Sequence, residues 1–182
     1  MSQRPCDLVL VKGAPGVGKS TAARLLARQF PKGALIEVDT LRGMVIEVNW
    51  KDQAEHRSVL RMAAHLATDF LRAGFSPVVL VDTFSGDKLA GFLDVFRPEN
   101  PDARVFVATL HASEAVLQHR VLHREVGGFR DLAICLRINR EVVRDAAPFE
   151  TLIDTTERSP NEVAETIVAG MSVPAAPTGP VR

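Results

Sequence analysis

The chain has 182 residues, 46% of them hydrophobic and 24% charged, which provides enough apolar content for one compact domain. Lys plus Arg and Asp plus Glu each total 22, so no basic excess exists to drive non-specific binding to nucleic acid or membranes. With no apolar run near the roughly 20 residues of a membrane span, no signal-peptide pattern and only Cys6 and Cys135, we expect a soluble cytoplasmic protein without disulfides.

Short apolar runs, several of them followed by glycine or polar residues, predict five strands, at residues 7–12, 34–38, 77–81, 104–110 and 151–153. Helical patterns lie between them: one from about Lys19, a long amphipathic one that ends near Gly74, and others at residues 85–96, 113–126 and 131–146. A capping box of Ser159 and Glu162 begins a last helix that ends at Gly170.

This alternation predicts an α/β fold in which a five-stranded parallel sheet carries helices on both faces. In such a sheet ligands bind at the carboxyl ends of the strands, so functional residues should directly follow strands. We expect one domain over residues 1–171, followed by a flexible proline-rich tail at residues 172–182.

The first strand leads into a complete match to G-x-x-x-x-G-K-[ST], made of Gly13, Ala14, Pro15, Gly16, Val17, Gly18, Lys19 and Ser20. Its position between a strand and a helix favours a phosphate-binding loop over a chance glycine-rich turn. Backbone N–H groups would wrap the phosphates, Lys19 would reach the β and γ phosphates, and Ser20 would ligate Mg²⁺. Thr21 is counted as nucleotide-binding but lies outside the metal position. The sequence therefore predicts a site for ATP and Mg²⁺.

Two acidic residues follow later strands. Asp39 comes after the second strand and forms a D-x-x-R pattern with Arg42, and Asp82 ends the third strand like a Walker B acid. Asp39 would orient or accept the proton of an attacking hydroxyl, and Asp82 would hold Mg²⁺ through water or fix the acceptor. The alternative is that both carboxylates are helix N-caps, with Arg42 a solvated first-turn residue.

Arg120 and Arg124 are spaced i and i+4 before the pair Gly127 and Gly128. One helical face could present both guanidinium groups to a transferring phosphoryl group, with the glycines as a hinge. The alternative is a solvated basic face, which is how we interpret Arg24 with Arg28 and the arginines of residues 137–144.

Over residues 7–170 these motifs resemble small P-loop kinases, in particular the group that contains the kinase domain of polynucleotide 5′-hydroxyl kinases, zeta toxins and chloramphenicol phosphotransferase. The resemblance implies a nucleoside/shikimate-kinase-like fold with a small lid that carries Arg120 and Arg124. It also implies that Asp39 faces the acceptor hydroxyl, that Arg42 holds acceptor or transferring phosphate, and that Asp82 lies near acceptor and metal. Residues 154–156 resemble the loop that lines adenine.

Three functions remain in view. The favoured one is transfer of the γ-phosphoryl group of ATP to a hydroxyl of a small molecule such as a nucleoside, sugar or antibiotic. A polynucleotide 5′-hydroxyl kinase is the rival, supported by D-x-x-R but disfavoured by the zero net charge and few aromatic residues. A nucleotide-dependent switch NTPase is the alternative of another class; no N-K-x-D string supports a GTPase.

Other candidate residues carry less weight. His119 and His123 could share a helix face, but a metal site would need a third ligand nearby, so ordinary surface histidines are the better interpretation. His56, Arg57 and Trp50 lie in or before the long helix and could shape an acceptor pocket between Arg42 and Gly74, although Trp50 could equally belong to the core.

Overall fold

A parallel five-stranded sheet forms the centre of the protein in the computed structural model, which describes residues 6–124 and 129–171. Its strands are β1 (Leu8–Gly13), β2 (Ala34–Glu37), β3 (Val78–Asp82), β4 (Val105–His111) and β5 (Glu150–Asp154). Their order in space is β2-β3-β1-β4-β5, and every neighbouring pair is parallel. The predicted fold class is confirmed.

The described helices are α1 (Lys19–Arg28), α2 (Val38–Arg42), α3 (Gln53–Arg72), α4 (Lys88–Glu99), α5 (Glu114–Leu122), α6 (Leu132–Arg144) and α7 (Pro160–Met171). Helix α7 begins as predicted, because the Ser159 N–H donates to Glu162 Oε2 at 2.7 Å and the Glu162 N–H donates to Ser159 Oγ at 3.3 Å. The predicted second strand is one residue too long, since Val38 already begins α2.

Alternation along β1 separates the core into two layers. Val9 and Val11 point to the layer formed with α1, α5, α6 and α7, whereas Leu8 and Leu10 point to the layer formed with α3 and α4. All six residues of β1 and all five of β3 are buried, as expected for central strands covered on both faces.

The helix predicted at residues 113–126 is shorter in the structure, where α5 ends at Leu122. Helices in proteins gain most of their stability from burying an apolar face, and after Val121 no side chain of this segment up to Arg124 is buried. Arg120 and Arg124 therefore do not share a helical face. The proposed hinge, Gly127 and Gly128, and the predicted tail at residues 172–182 lie outside the described residues.

A buried ion pair connects the central strand β1 to the edge strand β5, just before the phosphate loop. Lys12 Nζ, at the end of β1, lies 2.9 Å from Glu150 Oε2 of β5, with both side chains almost completely buried. Thr109 of β4, which lies between them in the sheet, donates its hydroxyl to the same carboxylate at 2.5 Å. The sequence pattern gave no indication of this pair, because Lys12 and Glu150 are 138 residues apart.

The connections after β1 and β3 create a crevice at the carboxyl edge of the sheet. Strand β1 leads into α1 on one face of the sheet, and its neighbour β3 leads into α4 on the other face. The two connecting segments therefore diverge where the strands end. The phosphate loop, Asp82 and Asp39 all follow strands at this edge. Among the described residues, no helix is long and apolar enough to cross a membrane.

Candidate active site

The loop between β1 and α1 has the conformation that a phosphate cradle requires. Gly18 is the N-cap of α1 in the left-handed region, with φ of 95°, and it offers no side chain to cap the helix. The first-turn N–H groups therefore keep their capacity for an anion at the positive end of the helix. Gly16 is required for packing, since a Cβ there would lie 2.9 Å from Leu117 and Val121 of α5.

Lys19 lies inside this crevice. Its Nζ donates to the Ala14 carbonyl oxygen at 2.9 Å, so the ammonium group lies over the loop. Burial in the crevice lowers the pKa of Lys19 to about 8, although the carboxylates of Asp82 and Asp39 act in the opposite direction. Because β1 lies beside β3 and β3 lies beside β2, the structure brings this lysine to the same edge of the sheet as both of the acidic residues singled out from sequence.

Asp82 is buried at the end of β3 and both of its oxygens accept hydrogen bonds. His56 Nε2 of α3 lies 2.9 Å from Oδ1, and the Phe84 N–H donates to Oδ2 at 2.7 Å. Burial, the largest single effect, would raise the pKa of Asp82, but the interactions with His56, the Phe84 N–H and Lys19 together outweigh it, and the pKa is lowered. Asp82 is thus held as a carboxylate. It does not cap α4, whose N-cap is Asp87.

Asp39 is the second residue of α2, and its side chain reaches solvent at the mouth of the crevice. The N-cap of α2 is Glu37, so the alternative that Asp39 caps this helix is wrong. Partial desolvation in the crevice, followed by the nearby carboxylate of Asp82, raises the pKa of Asp39. A raised pKa beside an ammonium group suits a residue that receives a proton during a reaction.

Arg42 is not the solvated residue of the alternative interpretation, because 96% of its surface is buried. Its guanidinium group lies 4.7 Å from the centre of the Trp50 ring, donates to the Asn49 carbonyl oxygen at 3.2 Å, and approaches Glu55 to 3.7 Å. Among the described residues its Nε has no hydrogen-bond partner. These contacts of Arg42 hold the segment between α2 and α3 in place next to Asp39. Half of the Trp50 surface remains exposed.

The two arginines predicted to form a lid have different surroundings. Arg120 is half-buried and donates from Nη1 to Thr155 Oγ1 at 3.0 Å and from Nη2 to the Thr155 carbonyl oxygen at 2.8 Å. Arg124 is exposed beyond the end of α5, and its Nη1 donates to the Phe129 carbonyl oxygen at 3.3 Å. The charge of Arg124 also acts to lower the pKa of Lys19, after the larger effect of burial.

Mg²⁺ fits the donor set at the start of α1. Ser20 presents an exposed hydroxyl there, and Asp82 supplies a buried carboxylate across the crevice; oxygen ligands of this kind are what Mg²⁺ prefers. Because both Asp82 oxygens already accept protein hydrogen bonds, contact through water suits this carboxylate better than direct ligation. Thr21 is exposed on α1 one residue after Ser20.

Sequence reasoning gave two residues at this site too little weight. His56 occupies the buried stripe of α3 together with Val59, Leu60 and Ala63, and this helical spacing marks it as a polar residue inside the core. Lys88 is buried in the first turn of α4, where its Nζ donates to Ser85 Oγ at 2.9 Å, and burial lowers its pKa. No pattern in the sequence signals a buried lysine at that position.

The histidine pair is an ordinary surface feature. The rings of His119 and His123 lie 4.2 Å apart, and His123 Nδ1 lies 2.8 Å from the His119 carbonyl oxygen. Within residues 6–124 and 129–171 no group of three or more His, Cys, Asp or Glu side chains could hold a metal ion.

The chain belongs to the AAA domain family, since residues 8–142, from β1 into α6, match the model of that family. A comparison with curated protein sequences gives no significant match.

Solved structures share the fold over nearly the whole chain. A gluconokinase from Sinorhizobium meliloti 1021 has a TM-score of 0.67 at 20% identity, with 93% of each chain covered. The tunicamycin resistance protein of Deinococcus radiodurans has a TM-score of 0.70 at 19% identity, covering 95% of this chain and 99% of that one. A chain of the Pnkp1/Rnl/Hen1 RNA repair complex has a TM-score of 0.66 at 17% identity, covering 82% and 48%. The fold is therefore that of P-loop kinases.

Proposed function

We propose that this protein transfers the γ-phosphoryl group of ATP to a hydroxyl group of a small molecule. The observation that carries the proposal is that the phosphate loop with Lys19, Asp82 and Asp39 lie at the ends of the three adjacent parallel strands β1, β3 and β2, on the same edge of the sheet. The exposed carboxylate of Asp39 after β2 could orient the hydroxyl of a second substrate. The gluconokinase among the structural neighbours supports a small acceptor.

In the proposed reaction the acceptor oxygen forms a bond to the γ-phosphorus while the bond from that phosphorus to the β–γ bridging oxygen breaks. ADP leaves, and the hydroxyl proton passes to Asp39. Lys19 stabilises negative charge on the β and γ phosphates, and the uncapped N–H groups of α1 hold the phosphates in place. Mg²⁺, held by Ser20 and through water by Asp82, would supply further charge neutralisation.

Arg124 is proposed as the lid group that approaches the transferring phosphoryl group. Its position outside α5, exposed yet close enough to Lys19 to influence it, supports this role. The segment that follows it contains the two glycines of the predicted hinge. Closure would exclude water that otherwise hydrolyses ATP.

A polynucleotide 5′-hydroxyl kinase is the second candidate. It is supported by the Asp39 and Arg42 spacing and by the RNA repair complex among the structural neighbours. Against it, Arg42 is already engaged with Trp50, the Asn49 carbonyl and Glu55, which leaves little of its guanidinium group for a nucleic-acid phosphate. The proposal also includes membership of the group of small P-loop kinases that contains polynucleotide 5′-hydroxyl kinases, zeta toxins and chloramphenicol phosphotransferase.

The test is transfer of labelled γ-phosphate from Mg-ATP to a 5′-hydroxyl oligonucleotide and to a panel of small alcohols, sugars, nucleosides and hydroxylated antibiotics. Lys19→Ala is the blank, and Lys32→Ala, at an exposed lysine outside the site, is the matched control. Label on a small molecule supports the leading proposal, and label on the oligonucleotide supports the second. Rapid ATP hydrolysis without transfer to any acceptor would instead favour a switch NTPase.

The two roles of Asp82 can be separated once an acceptor is known. If Asp82 acts through the metal, Asp82→Asn raises the Mg²⁺ concentration needed for half-maximal rate and leaves the acceptor KM unchanged. If it acts on the acceptor, the acceptor KM rises and the Mg²⁺ dependence stays the same.

A further inference from the structure

A cavity between α3 and α4 is distinct from the crevice that holds the phosphate loop. Its volume is about 310 Å³, near the lower end of small-molecule sites at roughly 300 to 1,000 Å³. Lys19, Asp39 and Asp82 do not line this cavity. Apolar side chains of both helices, including Leu60 of α3 and Phe92 of α4, form part of its lining, and charged side chains form the rest.

Lys88 brings a buried ammonium group to this cavity. Only 6% of its surface is exposed, and among the described residues its Nζ donates to the hydroxyl and the carbonyl oxygen of Ser85, at 2.9 and 3.3 Å, both of which are neutral. Burial lowers the pKa of Lys88, although the charge of Asp82 acts in the opposite direction. A buried charge with neutral partners is costly, and an anion that entered the cavity would reduce this cost.

The other charged residues of the lining balance one another. Arg57 Nη2 lies 2.9 Å from Asp87 Oδ1, with half or more of each side chain exposed. Arg61 and Asp94 are also exposed. Because two arginines face two carboxylates, the charge that remains on the lining is the single positive charge of Lys88. One uncompensated charge matches a monoanion such as a carboxylate better than a phosphate dianion.

Gly91 keeps the cavity open at a position where another residue would begin to fill it. It lies inside α4 and lines the cavity, although glycine is less favourable than alanine in a helix. Outside its own turn of helix, no atom of residues 6–124 and 129–171 lies within 4 Å of the place that a Cβ would occupy. Packing within the protein therefore does not require glycine here, in contrast to Gly16, whereas room for a ligand does.

We propose that this cavity is a second ligand site, separate from the phosphate-loop crevice, for a small amphipathic carboxylate. The carboxylate group pairs with Lys88, and the apolar body of the ligand lies against Leu60 and Phe92 beside Gly91. The inference does not depend on the proposed function, because no residue assigned to phosphoryl transfer lines the cavity.

Hexanoate is the probe, since it combines one carboxylate with a short apolar chain. Its neutral analogue hexanamide keeps the chain without the charge, and inorganic phosphate keeps a charge without the chain. Binding is followed by NMR titration of the full chain, in which the amide resonances of residues 57–61 and 87–95 should shift. We expect hexanoate to bind at least about tenfold more tightly than either comparison ligand, because only hexanoate uses both parts of the cavity.

Two variants test the charged and the open part of the cavity. Lys88→Met should raise the Kd for hexanoate at least about tenfold, whereas Lys32→Met, at an exposed lysine, should bind like the wild type. Gly91→Leu places a side chain in the cavity and removes a glycine from α4, so it should remain folded and lose hexanoate binding. Ala90→Leu adds the same side chain at the neighbouring exposed position, which does not line the cavity, and should bind normally.

Several results would overturn the inference. They are equal affinity for hexanoate and hexanamide, phosphate binding as tight as that of hexanoate, no saturable hexanoate binding, and wild-type affinity in Gly91→Leu. Displacement of hexanoate by AMPPNP would also overturn it, since the ligand would then occupy the crevice. If Lys88→Met does not fold, Gly91→Leu decides. A protein that binds hexanoate at this cavity but transfers no phosphoryl group would support this site and contradict the proposed function.

Discussion

His56 Nε2 lies 2.9 Å from Asp82 Oδ1, and both side chains are buried. This contact joins α3 to the end of β3 at the floor of the crevice, one strand away from the phosphate loop. The partner oxygen Oδ2 is held by the Phe84 N–H, so the plane of the carboxylate is fixed. A fixed carboxylate plane is what the proposed role of Asp82 requires, because a metal-bound water or an acceptor must be held in one orientation.

Removing the His56 ring is expected to destabilise the protein. In His56→Leu one oxygen of the buried Asp82 carboxylate loses its partner, which costs ~1–3 kcal/mol. His65→Leu is the matched control, because His65 lies on the same helix with an exposed side chain bonded to Glu99. Urea unfolding at pH 7 measures both variants, and equal stability of the two would contradict the importance of the His56–Asp82 contact.

Nucleotide affinity should depend on pH through Lys19. The pKa of Lys19 is lowered from its ordinary 10.5 to about 8, so the free protein loses this charge above pH 8, while bound phosphates favour the ammonium form. Binding therefore takes up a proton above pH 8, and the affinity for AMPPNP falls by up to about tenfold per pH unit there, but not below it. In Lys19→Arg the guanidinium stays charged, so titration calorimetry at pH 7 to 9.5 should detect no fall from this source. If the affinity for AMPPNP fell equally with pH in the wild type and in Lys19→Arg, Lys19 would not be the cause of the fall.

Asp39→Asn is expected to lower kcat by at least about a hundredfold, because the amide can neither accept the hydroxyl proton nor orient the hydroxyl as a carboxylate does. The Kd for AMPPNP should remain close to that of the wild type, since the proposed role of Asp39 is toward the acceptor and not toward the nucleotide. Asp69→Asn, at an exposed position near the end of α3, is the control. Turnover close to the wild-type rate would show that Asp39 is not the acceptor base.

If Arg124 belongs to a lid as proposed, Arg124→Ala should reduce the rate of phosphoryl transfer and increase the fraction of ATP lost to hydrolysis, because charge neutralisation and the exclusion of water are both weakened. The loss expected is about 10² to 10³ in kcat, typical of one transition-state donor. The measurement compares transfer and hydrolysis in the same reaction, with Arg137→Ala as the control. Kinetics equal to the wild type would remove Arg124 from the mechanism.

Breaking the buried pair of Lys12 and Glu150 is expected to lower the free energy of unfolding by more than the loss of one hydrogen bond would. Lys12→Met leaves a buried carboxylate without its cation and should cost ~3–5 kcal/mol of unfolding free energy. Replacing both residues, as Lys12→Met with Glu150→Leu, should restore much of that stability, because no charge is then left buried. Urea unfolding of the two single variants and the double variant tests this, and additive losses would contradict it.

Much of this fold could be predicted because its signals are local. The β-branched runs that became β1 and β3, the complete phosphate-loop pattern, and the capping box of Ser159 and Glu162 each act within a few residues. The helix ending at residue 126 was the main error, since periodicity continued past Val121 while the core did not. The equal treatment of Arg120 and Arg124 followed from the same error.

The sequence by itself determined that this chain has a parallel α/β sheet and a phosphate loop, because strand hydrophobicity and the glycine pattern are properties of neighbouring residues. Only the tertiary structure decided which side chains meet at that loop. The contacts of His56 with Asp82, of Arg120 with Thr155 and of Lys12 with Glu150 span 26, 35 and 138 residues. Such contacts depend on how helices and strands pack, and packing at that distance leaves no periodic trace in the chain.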